Sequence, residues 1–289
     1  MKLIVYTIFA LVAFGFNSIL CRLALRGEEI DAASFTAVRL ASGAVTLIVL
    51  SYFLSVSGPH VSKGSAGKGS AGKGGNWFSA FFLFAYAICF SFAYLGLTAG
   101  TGALILFGCV QLTMIGTAIW QGEKPTTIEL IGLAAAFGGL VYLVLPGLTS
   151  PPMFNAGLMA AAGISWGIYS LRGKSGSDPL ADTTGNFVRT LPFMLLAIIP
   201  FLTRIQLSNR GVVLAVLSGA VASGIGYTVW YAALKHLTST RAAILQLAVP
   251  IIAAAGGVFF LAEAATTRLW IAGAFILGGI ALTIFGRPK

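Results

Sequence analysis

Aromatic and amide side chains recur inside the long apolar runs of this 289-residue chain. Tyr86, Phe90 and Tyr94 follow one another at four-residue intervals, which places them on one face of a helix. The other candidates of this kind are Asn17, Gln111, Trp166, Tyr169, Tyr227, Trp230 and Gln246. Phenols and amides in an apolar surrounding need hydrogen-bond partners, so they should face neighbouring helices or a cavity. A cavity lined this way suits an amphipathic, partly aromatic molecule such as an amino acid. A role in joining helices is equally compatible for the four deepest residues: Tyr86, Gln111, Trp166 and Gln246.

The interior of these runs contains no carboxylate or histidine that could act in catalysis. All eight acidic residues, together with His60 and His236, lie at the ends of apolar runs or between them. The three cysteines are isolated and form no metal-ligand spacing. We therefore predict no catalytic residue, no metal site and no cofactor. Because no carboxylate or histidine lies in mid-run to carry a proton, we also predict a facilitator, or a weakly coupled carrier, that lets the metabolite move down its own gradient.

Arg39 and Arg189 are the two cations inside apolar runs. An arginine at mid-helix in a bilayer costs about 2.5–3.5 kcal/mol, and less when its side chain snorkels to the interface. Their distance from the expected helix starts favours snorkelling or the capping of carbonyl groups. The functional alternative is a ligand for a substrate carboxylate, or a gate. Pro250 is expected to kink its helix near Gln246, which either shapes that helix or lets it act as a gate.

The composition shows where these residues must be placed. The chain is 57% hydrophobic and 9% charged, with a mean hydropathy of +0.93, whereas soluble domains carry about 25% charged residues. Lipid must therefore be the main solvent, and at about 20 apolar residues per crossing the length permits about ten spans. Spans in lipid should be helices, because every backbone group needs an internal partner. The predicted spans are 3–25, 33–56, 77–97, 101–120, 127–146, 153–172, 184–203, 210–234, 239–261 and 268–286.

The positive charges lie between the spans and set their orientation. Eleven Lys or Arg residues collect at one set of span ends and five at the other, which places both termini in the cytoplasm. The net charge of +10 thus reflects topology and anionic headgroups, not a nucleic-acid partner. Residues 63–75 read KGSAGKGSAGKGG and have nothing to bury. This segment is predicted to be a flexible loop, either native or an engineered replacement.

The two halves of the chain repeat one pattern. Arg39 and Arg189 each follow a valine near the start of a span, and Glu123 and Glu263 each precede a Gly-Gly pair by fifteen residues. We therefore divide the chain into five-helix repeats, 1–148 and 149–289. An odd number of crossings makes the second repeat inverted relative to the first, an arrangement typical of transporters that work by alternating access.

These features together resemble the EamA-type drug/metabolite transporters over the whole chain except the 63–75 loop. The resemblance is carried by the five-plus-five halves, Arg39 and Arg189, the Gly-Glu-Lys-Pro at 122–125, and Pro250 with Glu263. Within that family the chain is most similar to the bacterial aromatic amino-acid exporter branch (YddG-like). One departure is Gln111, which stands where the second half has Pro250.

The resemblance implies a multi-pass protein of the bacterial inner membrane that exports amino acids or similar metabolites. The expected partners are a small-molecule substrate and the lipid bilayer, with a monomer compatible with the sequence. Two alternatives stay open, an exporter of drug-like or nucleoside metabolites and, from another class, a membrane-embedded enzyme acting on lipids. The enzyme is disfavoured because no metal cluster or nucleophile–base pair is visible, and a passive channel because of the inverted repeat.

Overall fold

The computed structural model describes residues 2–57, 74–120, 126–145, 150–173, 176, 178–237, 245–246 and 248–285. Within these ranges the chain forms ten helices. They are α1 (Lys2–Arg26), α2 (Ala32–Ser57), α3 (Trp77–Ala93), α4 (Ala99–Trp120), α5 (Thr127–Val144), α6 (Met153–Gly173), α7 (Pro179–Ile198), α8 (Asn209–Leu234), α9 (Ala248–Leu261) and α10 (Thr267–Phe285).

Five of these helices are long and apolar enough to cross a membrane: α1, α2, α4, α7 with the turn that follows it, and α8. Four others, α3, α5, α9 and α10, contain shorter apolar stretches. The remaining helix, α6, carries Asn155, Ser165, Ser170 and Arg172 and falls in neither group. Large apolar side chains are exposed along the helices, for example Tyr52 at 65% and Phe259 at 85%. Such a surface suits lipid contact, and the prediction of an all-α membrane protein is confirmed.

Helix boundaries depart from the predicted spans at two places where side chains cap the backbone. α7 begins at Pro179, five residues before the predicted 184, because the Asp178 carboxylate accepts from the N–H groups of Leu180 and Ala181. α3 ends at Ala93 rather than at 97, and Thr98 then caps the start of α4 by accepting from the Thr101 N–H at 3.3 Å. The predicted start of the ninth span at 239 lies outside the described residues, as do 63–73 of the flexible loop.

Three prolines in and next to α7 and α9 have different surroundings. Pro192 lies inside α7. Pro200 falls in the 3₁₀ turn Ile199–Arg204, which tightens the end of α7. Pro250 lies in the first turn of α9, where its missing N–H removes no hydrogen bond within Ala248–Leu261.

The α1–α2 and α7–α8 turns are tied to each other. The Ser208 N–H donates to the Glu29 carbonyl at 2.8 Å, and the Gln206 N–H donates to the Asp31 carboxylate at 3.0 Å. Desolvation raises the pKa of Asp31, but hydrogen bonds from Gln206, Ser34 and Ala33 outweigh it and hold the pKa below its usual value. The carboxylate is therefore ionised, and the tie intact, at neutral pH.

Glycine allows α5 and α10 to pack closely. A Cβ on Gly279 would clash with the carbonyl oxygen of Gly132, and a Cβ on Gly139 would lie 2.8 Å from the Cβ of Phe275. The neighbouring Gly138 and Gly278 face open space, since a Cβ on either meets nothing within 4 Å. Only one glycine of each Gly-Gly pair therefore serves the helix contact.

This difference provides a matched test of packing. Gly279→Ala should destabilise the protein by about 1–3 kcal/mol, because backbone atoms must move apart to admit the methyl group. Gly278→Ala should be neutral or stabilising, since alanine has the higher helix propensity. Thermal unfolding of the two purified variants in detergent measures the difference. Equal unfolding midpoints would show that α5 and α10 do not pack as described.

Candidate functional site

A small cavity lies where α1, α3, α4, α6 and α8 meet. Its wall consists of Phe14, Asn17, Tyr86, Phe90, Leu106, Phe107, Trp166 and Tyr227. The cavity volume is about 10 Å³, which is close to the minimum needed to hold one water molecule. An amino acid does not fit this space unless the surrounding helices move apart.

Aromatic rings form most of the wall, and Trp166 lies at their centre. Its ring centroid is 4.6 Å from that of Tyr227, 5.0 Å from that of Tyr86 and 5.7 Å from that of Phe14. The Phe14 contact is edge-to-face and the other two are tilted, geometries that aromatic pairs favour. The wall therefore offers an apolar surface with quadrupolar ring faces.

One side of the cavity is polar. The Asn17 amide donates to the Tyr86 hydroxyl at 3.3 Å, and the Asn17 carbonyl oxygen accepts from the Ser218 hydroxyl. The hydroxyls of Tyr86 and Tyr227 lie 3.3 Å apart. All of these groups are neutral hydrogen-bonding groups that can donate or accept.

Arg39 stands directly behind this polar side and is only 1% exposed. Its Nε donates to the Ser223 hydroxyl at 3.0 Å, and its Nη2 donates to the hydroxyls of Tyr86 and Tyr227 at 3.1 and 2.9 Å. The guanidinium also lies 4.9 Å from the Phe90 ring centroid, a cation–π contact. The expectation that Arg39 snorkels to the interface or caps carbonyls is therefore wrong. Its side chain points into the bundle, where hydroxyl groups and ring faces surround it.

A π-helical segment, Ser218–Ile225, makes this arrangement possible within α8. Residues five apart stand roughly 140° apart around an α-helix, whereas i→i+5 bonding brings them near one face. Ser218 can thus bind Asn17 while Ser223 binds Arg39. Gly219 lets α8 approach α2, because a Cβ there would clash with the Arg39 carbonyl oxygen.

Half of the predicted substrate-binding residues lie outside the cavity wall. Tyr94 donates its hydroxyl to the Ala99 carbonyl at 3.3 Å, Tyr169 accepts from the Asn186 amide at 3.4 Å, and Trp230 packs edge-on against Phe14. Gln111 and Gln246 are each 1% exposed but do not line the cavity. These five residues belong to the packing around the site.

The sequence pattern missed other parts of the site. Phe14, Leu106 and Phe107 line the cavity but have no polar group to distinguish them from other apolar residues. Ser223 and Gly219 are small residues, a type that suits helix packing in membranes and does not by itself indicate a site. Ser218 and Ser223 can be recognised as residues of one helix face only when the π-helical register is known.

Polar contacts close the bundle at what we term the Glu263 end, formed by Arg22, Tyr94 and Glu263. The Glu263 carboxylate pairs with Arg22 at 3.0 Å and accepts from the Ala99 N–H at 2.8 Å. Arg22 also donates to the Tyr94 carbonyl at 2.9 Å. Ala262 adopts a left-handed φ of 50°, uncommon outside glycine, at the point where the chain turns back from α9. This end joins α1, α4 and α9.

A second set of contacts forms the Asp182 end, made of Gly74–Asn76, Arg172, Asp182 and Arg189. The Gly75 N–H donates to the Asp182 carboxylate at 2.9 Å, and Arg172 donates to the Ser79 hydroxyl at 2.9 Å. Arg189 donates to the carbonyls of Gly74 and Gly185 at 2.8 Å each. Helix α3 runs from this end to the other, and its 17 residues span about 25 Å. The cavity lies between the two ends.

Arg189 thus fits the carbonyl-capping interpretation, and Arg39 does not. Arg39 is the eighth residue of α2, whereas Arg189 is the eleventh of α7 because α7 starts earlier than predicted. The two arginines match in sequence but have different surroundings.

Comparison with known proteins shows the family. A model described as the EamA-like transporter family matches residues 153–285. An uncharacterised protein of Pseudomonas aeruginosa is 45% identical over 286 residues, covering 99% of this chain and 96% of that protein. A probable amino-acid metabolite efflux pump of Escherichia coli is 24% identical over 219 residues, covering 70% of this chain and 72% of that pump. This chain belongs to the EamA-like transporter family.

One solved crystal structure shares the fold of this EamA-family chain. It superposes with a TM-score of 0.62 at 19% sequence identity and covers 94% of each chain. As a member of this family the chain is a multi-pass membrane transporter, and the family implies a small-molecule substrate and a lipid environment.

The Glu263 end provides a test of the buried ion pair. Arg22→Gln should lower the free energy of unfolding of this EamA-family transporter by about 3 kcal/mol, because the side chain of Glu263 is only 8% exposed and loses its charged partner. The control is Arg210→Gln, which breaks the exposed pair with Glu29 and should cost about 1 kcal/mol or less. Thermal unfolding in detergent compares them. If both variants unfold at the same temperature, the Arg22–Glu263 pair does not hold this end together.

Proposed function

We propose that this EamA-family transporter exports amino acids, aromatic or otherwise hydrophobic, or similar amphipathic metabolites through its central cavity. The carrying observation is the cavity itself, with aromatic rings on one side and Asn17, Tyr86 and Tyr227 hydrogen-bonding groups on the other. The hydrophobic side chain of an amino acid matches the aromatic side, and its amino and carboxylate groups match the hydrogen-bonding side. The Escherichia coli relative is a probable amino-acid metabolite efflux pump, which supports the same substrate class.

The proposed mechanism is alternating access between two inverted five-helix repeats, 1–148 and 149–289. Reciprocal helix contacts support it: α1 packs on α9 while α6 packs on α4, and α2 packs on α8 while α7 packs on α3. Exchanging the two repeats converts each of these pairs into the other. Such reciprocity allows two related conformations that open opposite ends of one site.

The two ends have distinct contacts that can open in turn. Opening the Glu263 end requires Arg22 and Glu263 to separate, and opening the Asp182 end requires Gly75 to leave Asp182. We assign the Glu263 end to the outer face and both termini to the cytoplasm of a bacterial inner membrane, following the distribution of positive charge. The YddG-like branch and a monomeric transporter are part of this proposal.

Transport by facilitated diffusion follows from the groups around the cavity. Among the residues that line it, none is an acid or a histidine. The charged group that contacts this wall is Arg39, and arginine does not release its proton in proteins. The site therefore has no proton carrier, so substrate should move down its own gradient.

Transport by reconstituted protein tests this proposal. Proteoliposomes should take up radiolabelled hydrophobic amino acids faster than empty vesicles do, and an imposed pH gradient should leave the initial rate unchanged. Nucleosides and drug-like amines added to the same panel cover the alternative substrates. If no amino acid crosses faster than through empty vesicles, the proposed function is wrong.

A pair of tryptophan variants locates the site. Trp166→Ala should reduce uptake about tenfold or more, because it removes several aromatic contacts worth about 0.5–1.5 kcal/mol each. Trp270→Ala removes a side chain that is 69% exposed on α10 and should keep the wild-type rate. Unfolding temperatures confirm that both variants are folded. Equal rates in the two variants would place the substrate elsewhere.

A further inference from the structure

We infer that Arg39 supplies the charge that binds a carboxylate on the substrate, so that the cavity selects carboxylates over the corresponding amines and amides. This inference rests on the proposed function and assigns a chemical class to the same site. Its starting point is an imbalance of charge beside the cavity.

The guanidinium of Arg39 is buried without a compensating anion. Among the side chains that the structure describes, its partners are Ser223, Tyr86, Tyr227 and the Phe90 ring, all of them neutral. The ion pairs among the described residues are Arg22–Glu263 and Arg210–Glu29, and neither of them includes Arg39. Buried charges are normally paired, because leaving one uncompensated costs several kcal/mol. An anionic substrate would supply the missing partner.

Part of the guanidinium also lacks a hydrogen-bond acceptor. The buried Nη1 of Arg39 has no partner among the described residues, whereas Nε and Nη2 are both occupied. Nη1 carries two N–H donors. A carboxylate oxygen is the acceptor that forms the strongest hydrogen bond with such a donor.

The cavity wall gives a substrate a route to this group. Tyr86, Phe90 and Tyr227 contact Arg39 and also line the cavity, so the guanidinium is one side chain away from it. The cavity must widen to hold an amino acid, and separation of the Tyr86 and Tyr227 hydroxyls, now 3.3 Å apart, would expose Arg39 between them. The Arg39 guanidinium and the two phenols would then donate to one carboxylate.

The remaining cavity wall accounts for the rest of the substrate. Trp166 and Phe14 offer ring faces to an apolar side chain. The Asn17 carbonyl oxygen, now an acceptor for Ser218, is an acceptor available to an ammonium group. The residues that line the cavity include no carboxylate that would form an ion pair with the ammonium group. The amine of the substrate should therefore be tolerated but not needed for binding.

A purely structural Arg39, holding α2, α3 and α8 together, is the competing explanation. Arg189 is an example of that role, because carbonyl groups of Gly74 and Gly185 satisfy it. Loss of a structural arginine lowers stability and slows transport of every substrate equally. Loss of a carboxylate ligand instead changes which analogues bind, so selectivity separates the two roles.

The experiment is competition against uptake of the labelled amino acid that crosses fastest in wild-type proteoliposomes. Three unlabelled derivatives of that amino acid are the probes: the acid without its amine, the amide, and the decarboxylated amine. In the wild type, the acid without its amine should inhibit within about tenfold of the parent amino acid, and the other two at least about tenfold more weakly. Competition measures binding to the carrier, so passive leakage of the probes does not affect it.

Variants extend the test. Arg39→Gln should abolish the discrimination between acid and amide, and Arg39→Lys should retain part of it, because the charge remains but its geometry changes. Arg189→Gln should keep the wild-type ratio whatever its absolute rate. If Arg39→Gln does not fold, the wild-type ratios alone decide.

The outcomes separate the two proposals. Equal inhibition by acid and amide in the wild type, or the wild-type ratio retained in a folded Arg39→Gln protein, would overturn the role of Arg39 and leave amino-acid transport standing. Uptake of no amino acid above empty vesicles would overturn the proposed function, and the assignment of Arg39 with it.

Discussion

A guanidinium enclosed inside a membrane protein has lost its water, and in this chain the described structure gives it no carboxylate in exchange. The helices around Arg39 replace water with three hydroxyl groups and the face of Phe90. These groups come from α3 and α8, whereas Arg39 itself lies on α2, so this one charge joins three helices. Partial compensation of this kind is costly as a resting state, yet it leaves a positive potential next to the cavity that an anionic ligand can use.

The local structure of α8 allows these contacts. A regular α-helix would point Ser218 and Ser223 in different directions, whereas the π-helical segment lets one bind Asn17 and the other bind Arg39. Gly219 removes the side chain that would otherwise hold α8 away from α2. Backbone irregularity and small residues thus bring the Ser218 and Ser223 hydroxyl groups to the site.

The two halves of the chain show how similar sequence patterns acquire different roles. Arg39 reaches hydroxyls and aromatic rings at the centre, whereas Arg189 reaches backbone carbonyls at the Asp182 end. The Glu263 end is closed by a buried ion pair. At the Asp182 end, the Gly75 N–H donates to the Asp182 carboxylate and the Asn76 N–H donates to the Asn186 side-chain carbonyl. A carrier with unlike ends can favour one open conformation over the other, since different contacts must break on each side.

The amino-acid sequence by itself determined the class of fold and part of the site. Only 9% of the residues are charged, too few to cover a water-facing surface, so the chain must lie in lipid. In lipid every backbone group needs an internal partner, so the spans must be helices. Polar and aromatic residues deep in apolar runs had to find partners, and Asn17, Tyr86 and Trp166 lie in the cavity wall, where their contact with substrate stays a prediction. The same argument applied equally to Gln111 and Tyr94, because spacing along one helix does not specify which neighbour it faces.

Only the tertiary structure decided the position of Arg39. The lower cost of snorkelling favoured that placement from the sequence, whereas burial depends on hydroxyl groups supplied by α3 and α8, far away along the chain. The helix start at Pro179 and the π-helical register were likewise needed to distinguish Arg189 from Arg39. Contacts between distant segments carry no periodic signal, so the energetic role of a buried charge becomes readable only when its neighbours are in place.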